Sequence, residues 1–237
     1  MQSAVTTKTQ YTNQDLAIPS YLSETYWWAY VHPRAVYLFE RQWLVNLILW
    51  GNFAYLRDLA LNALGTSVGG RTLQIACVYG DLTARLIARL RPDARLDVVD
   101  ILPIQLQSLA RKLSDSGAAN LVCGNSAALQ FDSGSYDQAL LFFLLHEQPE
   151  EVRRRTLSEA LRVVKPGGRI VILDYHRPRI FHPLYLPMAA ILRVLEPFAL
   201  DLWRHDVARW LPPDRPVCAI SKRAVFGGLY QLVTIAV

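Results

Sequence analysis

With 237 residues the chain is long enough for one large core and cramped for two. Hydrophobic residues make up 52% of it and charged residues 19%, so intrinsic disorder is excluded for most of its length. The net charge of +5 includes one tight basic run, Arg153-Arg154-Arg155, expected on a solvated helix face; this excludes a nucleic-acid patch and favours anionic headgroups at a membrane surface as the counterpart.

Residues 1–20 are polar and read as a flexible N-terminus, without the basic and apolar regions of a signal peptide. Residues 21–65 read as an aromatic helical cap, with Pro33 suited to the first turn of a helix. A different rhythm starts at Arg71. RTLQIAC reads as a strand, LTARLIARLR as a helix, RLDVVD as a second strand and PIQLQSLARKL as a second helix. NLVCGN is a third strand, and YDQALLFFLL a fourth that is apolar throughout. In EEVRRRTLSEALRVV, Leu157, Ala160, Leu161 and Val164 share one helix face, and Lys165-Pro166-Gly167-Gly168 is expected to end that helix before RIVILDY, the fifth strand. Strands alternating with helices, several apolar on both faces, predict an α/β fold around a buried parallel sheet over residues 66–178.

Residues 179–213 break the rhythm with prolines and aromatics and read as an apolar lid insertion, without the ~18 apolar residues that span a bilayer. Residues 214–237, with PVCAISK and LYQLVTIAV, read as a final pair of strands. All six tryptophans lie in the first fifty residues or after position 200, so the two ends handle something apolar that the middle does not. Three widely spaced cysteines fit a reducing compartment and no zinc site.

An open parallel sheet binds its ligand beyond the carboxyl ends of its strands. Asp100 ends the second strand, placed to accept hydrogen bonds from ribose hydroxyls, and Asn125 follows the third, where its amide can read an adenine edge. A turn-forming role is open to each. His146 and Glu147 follow the fourth strand; Asp174, Tyr175 and His176 end the fifth.

The segments LQIACVYGDLT, LDVVD, CGNSAALQF, SYDQALLFFLLHE, LRVVKPGGRIVILD and FGGLYQLVT resemble, in this order, class I S-adenosylmethionine-dependent methyltransferases. The resemblance implies a Rossmann-like sheet of seven strands, the last antiparallel, and a cofactor site of Gln74, Ala76, Val78, Tyr79, Gly80, Asp100, Ile101, Asn125 and Ser126. Family members usually carry an acid and then Gly-x-Gly-x-Gly in the first turn. Here Gln74 stands for the acid, Ala76 and Val78 stand for glycines, Tyr79 precedes the retained Gly80, and Asn125 replaces an aspartate. The N-terminal YWWAYVHPRAVYLFERQWLVNLILWGN, together with the VYGD turn, is similar to rhodoquinone biosynthesis proteins of the RquA type.

That second resemblance implies conversion of ubiquinone to rhodoquinone, a ring methoxy group giving way to an amino group. S-adenosylmethionine would donate its amino group, with Mn2+ assisting. Gln74, Tyr79 and His146 are then the candidate catalytic residues, Gln74 because an acid there would hold the donor amine as an unreactive ammonium. His146, Glu147, Asp174 and His176 are candidate metal ligands. Tyr26, Trp27, Trp28, Tyr30, His32 and His176 would contact the quinone at an aromatic entrance. The expected location is cytoplasmic, at the surface of the inner membrane. Ordinary methyl transfer to a lipophilic acceptor, and a non-catalytic cofactor-binding scaffold, are the alternatives.

Overall fold

A computed structural model of the chain describes residues 18–26, 42–113, 119–215 and 217–237. Its seven-stranded sheet has the order β3-β2-β1-β4-β5-β7-β6. The strands are β1 (Arg71–Ile75), β2 (Arg95–Asp100), β3 (Ala119–Cys123), β4 (Tyr136–Phe142), β5 (Val164–Tyr175), β6 (Ala219–Val225) and β7 (Tyr230–Ala236). β1 to β5 pair in parallel, and β7 runs antiparallel to both β5 and β6. The expected fold is therefore present, with its last strand reversed as the resemblance implied.

β4 is apolar throughout because it lies between two helical layers. Leu140 and Phe142 join a core with Leu56, Ala60 and Leu64 of the helix Phe53–Leu64. Ala139 and Leu141 point the other way, into a core with Leu157, Ala160 and Leu161 of the helix Glu150–Val163. In chain order the described helices are α1 (Ser20–Thr25), α2 (Gln42–Ile48), α3 (Phe53–Leu64), α4 (Leu82–Ile87), α5 (Pro103–Lys112), α6 (Glu150–Val163), α7 (Tyr185–Leu195) and α8 (Leu200–Arg204). None is long and apolar enough to cross a membrane.

Three expectations need correction. The helix expected over residues 82–91 ends at Ile87, because Val68 bridges to Leu90 and turns the chain back towards the sheet. Lys165-Pro166-Gly167-Gly168 does not follow the helix as a separate turn; it is an irregular start of β5, where the register with β4 shifts between Tyr136 and Gln138. Gly167 sits there at φ +81° with its N–H on the Val237 carbonyl.

The third concerns the basic run. Arg154 and Arg155 pair with Glu150 and Glu151 on the outer face of α6, but Arg153 is completely buried. Its guanidinium donates to the carbonyls of Leu145, Gln148 and Phe198, and lies 4.3 Å from the Trp210 ring centroid. A helical residue on the inward face carries its side chain into the core whatever its charge, provided donors meet acceptors there. Arg153 thereby ties the inserted segment after β5 to the loop after β4.

Candidate active site

A cavity of about 690 Å3 opens above the carboxyl ends of β1, β2 and β4, where the strand order reverses. Its floor is the turn after β1, the end of β2 and the loops after β3 and β4. Its roof is α1, α2 and α7, which contribute Leu22, Val45, Ile48, Met188 and Leu192. Cap and insertion meet over the strand ends. The wall is polar near Asp100 and Asn125, and apolar towards the roof.

The turn after β1 keeps a glycine-like backbone without the expected glycines. Ala76 has φ +75°, a conformation that L residues adopt at a cost of about 1 kcal/mol or more. Three hydrogen bonds hold it. Ala76 N–H donates to the Val99 carbonyl at 2.8 Å, Gln74 Nε2 donates to the Ala76 carbonyl at 3.0 Å, and Thr83 Oγ1 donates to Gln74 Oε1 at 3.0 Å. Gln74 is fully buried beneath the turn and is not part of the cavity wall. Its carboxamide is spent on holding Ala76, so the expected direct action on a donor amine has no geometric basis. Gly80 is also outside the wall: at φ +85°, a Cβ on it would come within 2.7 Å of the Phe53 ring.

The role of Gln74 can be tested without any substrate. Gln74→Glu keeps the acceptor for Thr83 but loses the donor to Ala76. Thermal unfolding should show a loss of about 1–3 kcal/mol; an unchanged midpoint would mean that Gln74 does not hold the turn.

Asp100 lines the cavity and accepts from Cys77 N–H at 2.7 Å and Leu102 N–H at 2.8 Å. Burial raises its carboxyl to about 6, against the pull of those two donors. Val78, Tyr79 and Ile101 line the wall beside it. Gln105 Nε2 donates to the Tyr79 phenol oxygen at 2.8 Å and fixes the ring. Asn125 and Ser126 also line the cavity, with their oxygens committed to local structure. Asn125 Oδ1 accepts from Ala127 N–H, while Ser126 Oγ sits 3.0 Å from Thr156 Oγ1 and accepts from Gln148 Nε2. The turn-forming role left open for Asn125 is thus observed.

At the far side stands His146. Its Nδ1 is 2.9 Å from Asp174 Oδ1, and its Nε2 is 3.7 Å from Glu147 Oε1. Burial opposes its charge, but Asp174 outweighs burial, with help from Glu196 and Glu147, and lifts the imidazole to about 9. His146 is therefore a cation at neutral pH, packed edge-on against Phe143 and Tyr175. Burial raises the Glu196 carboxyl, and His146 pulls it back. Glu196, Phe143 and Tyr175 all line the cavity; Tyr175 was noted at the end of the fifth strand, whereas Glu196 and Phe143 were missed in the sequence. Glu196 stands one residue past α7, with nothing in its neighbours to mark it.

The four candidate metal ligands do not converge. Asp174 is buried beneath the loop after β4 and accepts from the N–H groups of Leu145, His146 and Tyr175. His176 faces a separate cavity. Among the described residues no three of His, Cys, Asp and Glu are grouped to hold a metal ion, so the manganese expectation finds no matching donor set. Tyr26 is buried against Phe198 and outside the wall. Trp27, Trp28, Tyr30, His32 and Pro33 lie outside the described residues.

An S-adenosyl group suits the remaining wall. It has diol hydroxyls for Asp100, which lines the wall. The buried Gln148 Oε1, also in the wall, has no hydrogen-bond partner among the described residues.

Residues 43–202 match the model of the ubiE/COQ5 methyltransferase family. The chain is 28% identical over 182 residues to the ubiquinone/menaquinone biosynthesis C-methyltransferase UbiE of Geobacter sp. (strain M21), covering 75% of each chain. It is 26% identical over 177 residues to the demethylmenaquinone methyltransferase of Bacillus licheniformis, covering 71% of this chain and 75% of that one. The crystal structure of a SAM dependent methyltransferase from Aquifex aeolicus superposes with a TM-score of 0.57 at 14% identity, over 87% of this chain and 99% of that one.

Proposed function

Because this chain belongs to the ubiE/COQ5 methyltransferase family, we propose that it is an S-adenosylmethionine-dependent enzyme acting on a ubiquinone-type quinone, and that it replaces a ring methoxy group with an amino group. The observation that carries this reading is the composition of one cavity. Asp100 stands at a polar wall suited to the donor's ribose, and the roof of α2 and α7 is apolar enough for a prenylated ring. Val78, where a glycine would leave room, and Tyr79 beside it add side-chain bulk to the floor.

In this reading the donor's amine nitrogen adds to the methoxy-bearing ring carbon, and methoxide leaves with a proton as methanol. The bond between that nitrogen and the donor's α-carbon then breaks by elimination. The β-carbon gives up a proton, and the bonding pair goes to nitrogen, which takes a proton and is freed as the ring amino group. The donor remainder leaves with a double bond between its α- and β-carbons. His146, held as a cation over Asp174, is the proton donor to the quinone carbonyl oxygen. Asp174 is its positioning residue. The exposed side chains of Trp43 and Leu47 on α2 and of Leu186 and Val194 on α7, each 60–77% exposed, support docking on the cytoplasmic surface of the inner membrane, from which the quinone would enter.

Methyl transfer to a quinone carbon is the second reading, favoured by the names of the two relatives. Purified protein should be incubated with ubiquinone, and separately with a quinone bearing an unsubstituted ring carbon. S-adenosylmethionine would be labelled at its amino nitrogen in one set and at its methyl carbon in another. Mass spectrometry of the quinone should find the nitrogen label. The carbon label would establish methylation instead, and neither label would sink both.

A further inference from the structure

A second cavity, about 590 Å3, lies between the segment after β5, the end of α8 and the turn joining β6 to β7. Its walls carry Arg177, Arg179, Arg204 and Lys222, and the only carboxylate among the residues lining it is Asp206. Asp206 pairs with Lys222, so the three arginines outnumber what remains to neutralise them. Arg177 packs over the Tyr185 ring at 6.0 Å, and Arg204 sits 3.6 Å from Asp201, a residue outside this cavity. The turn that closes one side contains Gly227 at φ +62°, where a Cβ would run into the His182 ring. Glycine there lets the turn approach the 177–182 segment, and Arg179 N–H donates to the Gly227 carbonyl at 2.9 Å.

Arginines from two separate elements, the segment after β5 and α8, lining one concavity focus positive potential into it. Guanidinium groups match the oxygen geometry of phosphate by bidentate hydrogen bonding. Next to this cavity Ile180 and Phe181 are 67% and 95% exposed, beside an opening that is otherwise basic. An apolar pair flanking a basic cavity matches the order of layers at a bilayer surface, where phosphate lies above acyl chain.

We propose that this second cavity is a phosphate-binding site, made by Arg177, Arg179 and Arg204, that takes the phosphate of an anionic lipid headgroup or a soluble phosphate of the same chemistry. The site is separate from the cavity above the strand ends and does not depend on which reaction occurs there.

The test uses the whole chain and a double variant, Arg179→Glu with Arg204→Glu. A control, Arg111→Glu with Arg155→Glu, makes the same change in net charge on exposed helix faces. Inorganic phosphate binding would be followed by calorimetry at fixed ionic strength. Vesicle binding would be followed by co-sedimentation with phosphatidylcholine alone and with phosphatidylcholine containing phosphatidylglycerol.

The double variant should bind at least tenfold more weakly than the control in one or both arms. Loss with phosphatidylglycerol vesicles alone identifies the lipid headgroup as the source, loss with inorganic phosphate alone identifies a soluble ligand, and loss in both identifies a site open to either. Equal binding by double variant and control in both arms would overturn the proposal. Matching thermal midpoints for the two variants would show that lost binding is not lost folding. The labelled-donor assay is unaffected by either result, so failure here and failure of the quinone reading remain separate.

Discussion

Asp100→Ala is expected to weaken S-adenosylmethionine binding by about a hundredfold or more. Two charge-assisted hydrogen bonds from a ribose diol contribute about 1.5–3 kcal/mol each, and 1.4 kcal/mol is a factor of ten. The same carboxylate also holds Cys77 N–H and Leu102 N–H, so alanine loosens the turn that forms the cavity floor. Titration calorimetry of variant and parent reads the effect directly. Affinity within about threefold of the parent would remove Asp100 from the cofactor site.

A pH dependence follows from the same group. Burial holds the Asp100 carboxyl at about 6, above an unfolded value of about 3.9. A raised folded value means that the native state binds its proton more tightly. Its contribution to stability is therefore fully present below about 4 and is lost as pH rises through 6. Ligand binding has the opposite sign, since only the ionised form accepts from both hydroxyls. Cofactor affinity of the parent should fall as pH drops below about 6, and in Asp100→Ala that fall should vanish.

Arg153→Met is expected to cost the protein about 3 kcal/mol or more of stability. Methionine fills much of the volume, and buried ion pairs replaced by apolar side chains are often neutral. That precedent covers only the looser pair with Asp201 at 3.7 Å; the hydrogen-bonded partners are backbone carbonyls that the substitution cannot remove. Three charge-assisted hydrogen bonds, to the carbonyls of Leu145, Gln148 and Phe198, would be lost, at about 1.5–3 kcal/mol each. Leu145 and Phe198 keep a second donor in Gln148 N–H and Asp201 N–H, which holds the loss towards the lower end. One kcal/mol corresponds to about 2–4 °C in a chain of this size, so the thermal midpoint should drop by roughly 10 °C. The segment after β5 should also become the first site of proteolysis. A midpoint that rises would show that desolvating the guanidinium costs more than its three hydrogen bonds return.

These two residues mark how far the sequence could be read. Asp100 was legible because a strand-end acid follows from topology, and topology follows from the alternation of apolar strands with amphipathic helices. Arg153 was misplaced because charge was allowed to outweigh helical position. Leu157, Ala160 and Leu161 already defined the inward face, and Arg153 lies one turn before Leu157 on it. Gln74 was singled out for its chemistry, but its partners, Thr83 and the Ala76 carbonyl, appear only when the turn closes. The same holds for His146, whose cationic state depends on Asp174 from a strand 28 residues away.

The sequence by itself determined the order of strands and helices and an unusual first turn, while the reversed last strand was implied by the family resemblance. Each of these depends on local pattern: period two or 3.6, a breaker, or a motif of a few residues. Tertiary structure alone decided which polar groups face the cavity and which are consumed in building it. It also brought cap and insertion together as one roof and set Arg177 and Arg179 beside the distant Arg204 around a second cavity. Those outcomes depend on contacts between residues far apart in the chain, where burial and neighbouring charge, rather than residue type, set what a side chain can do.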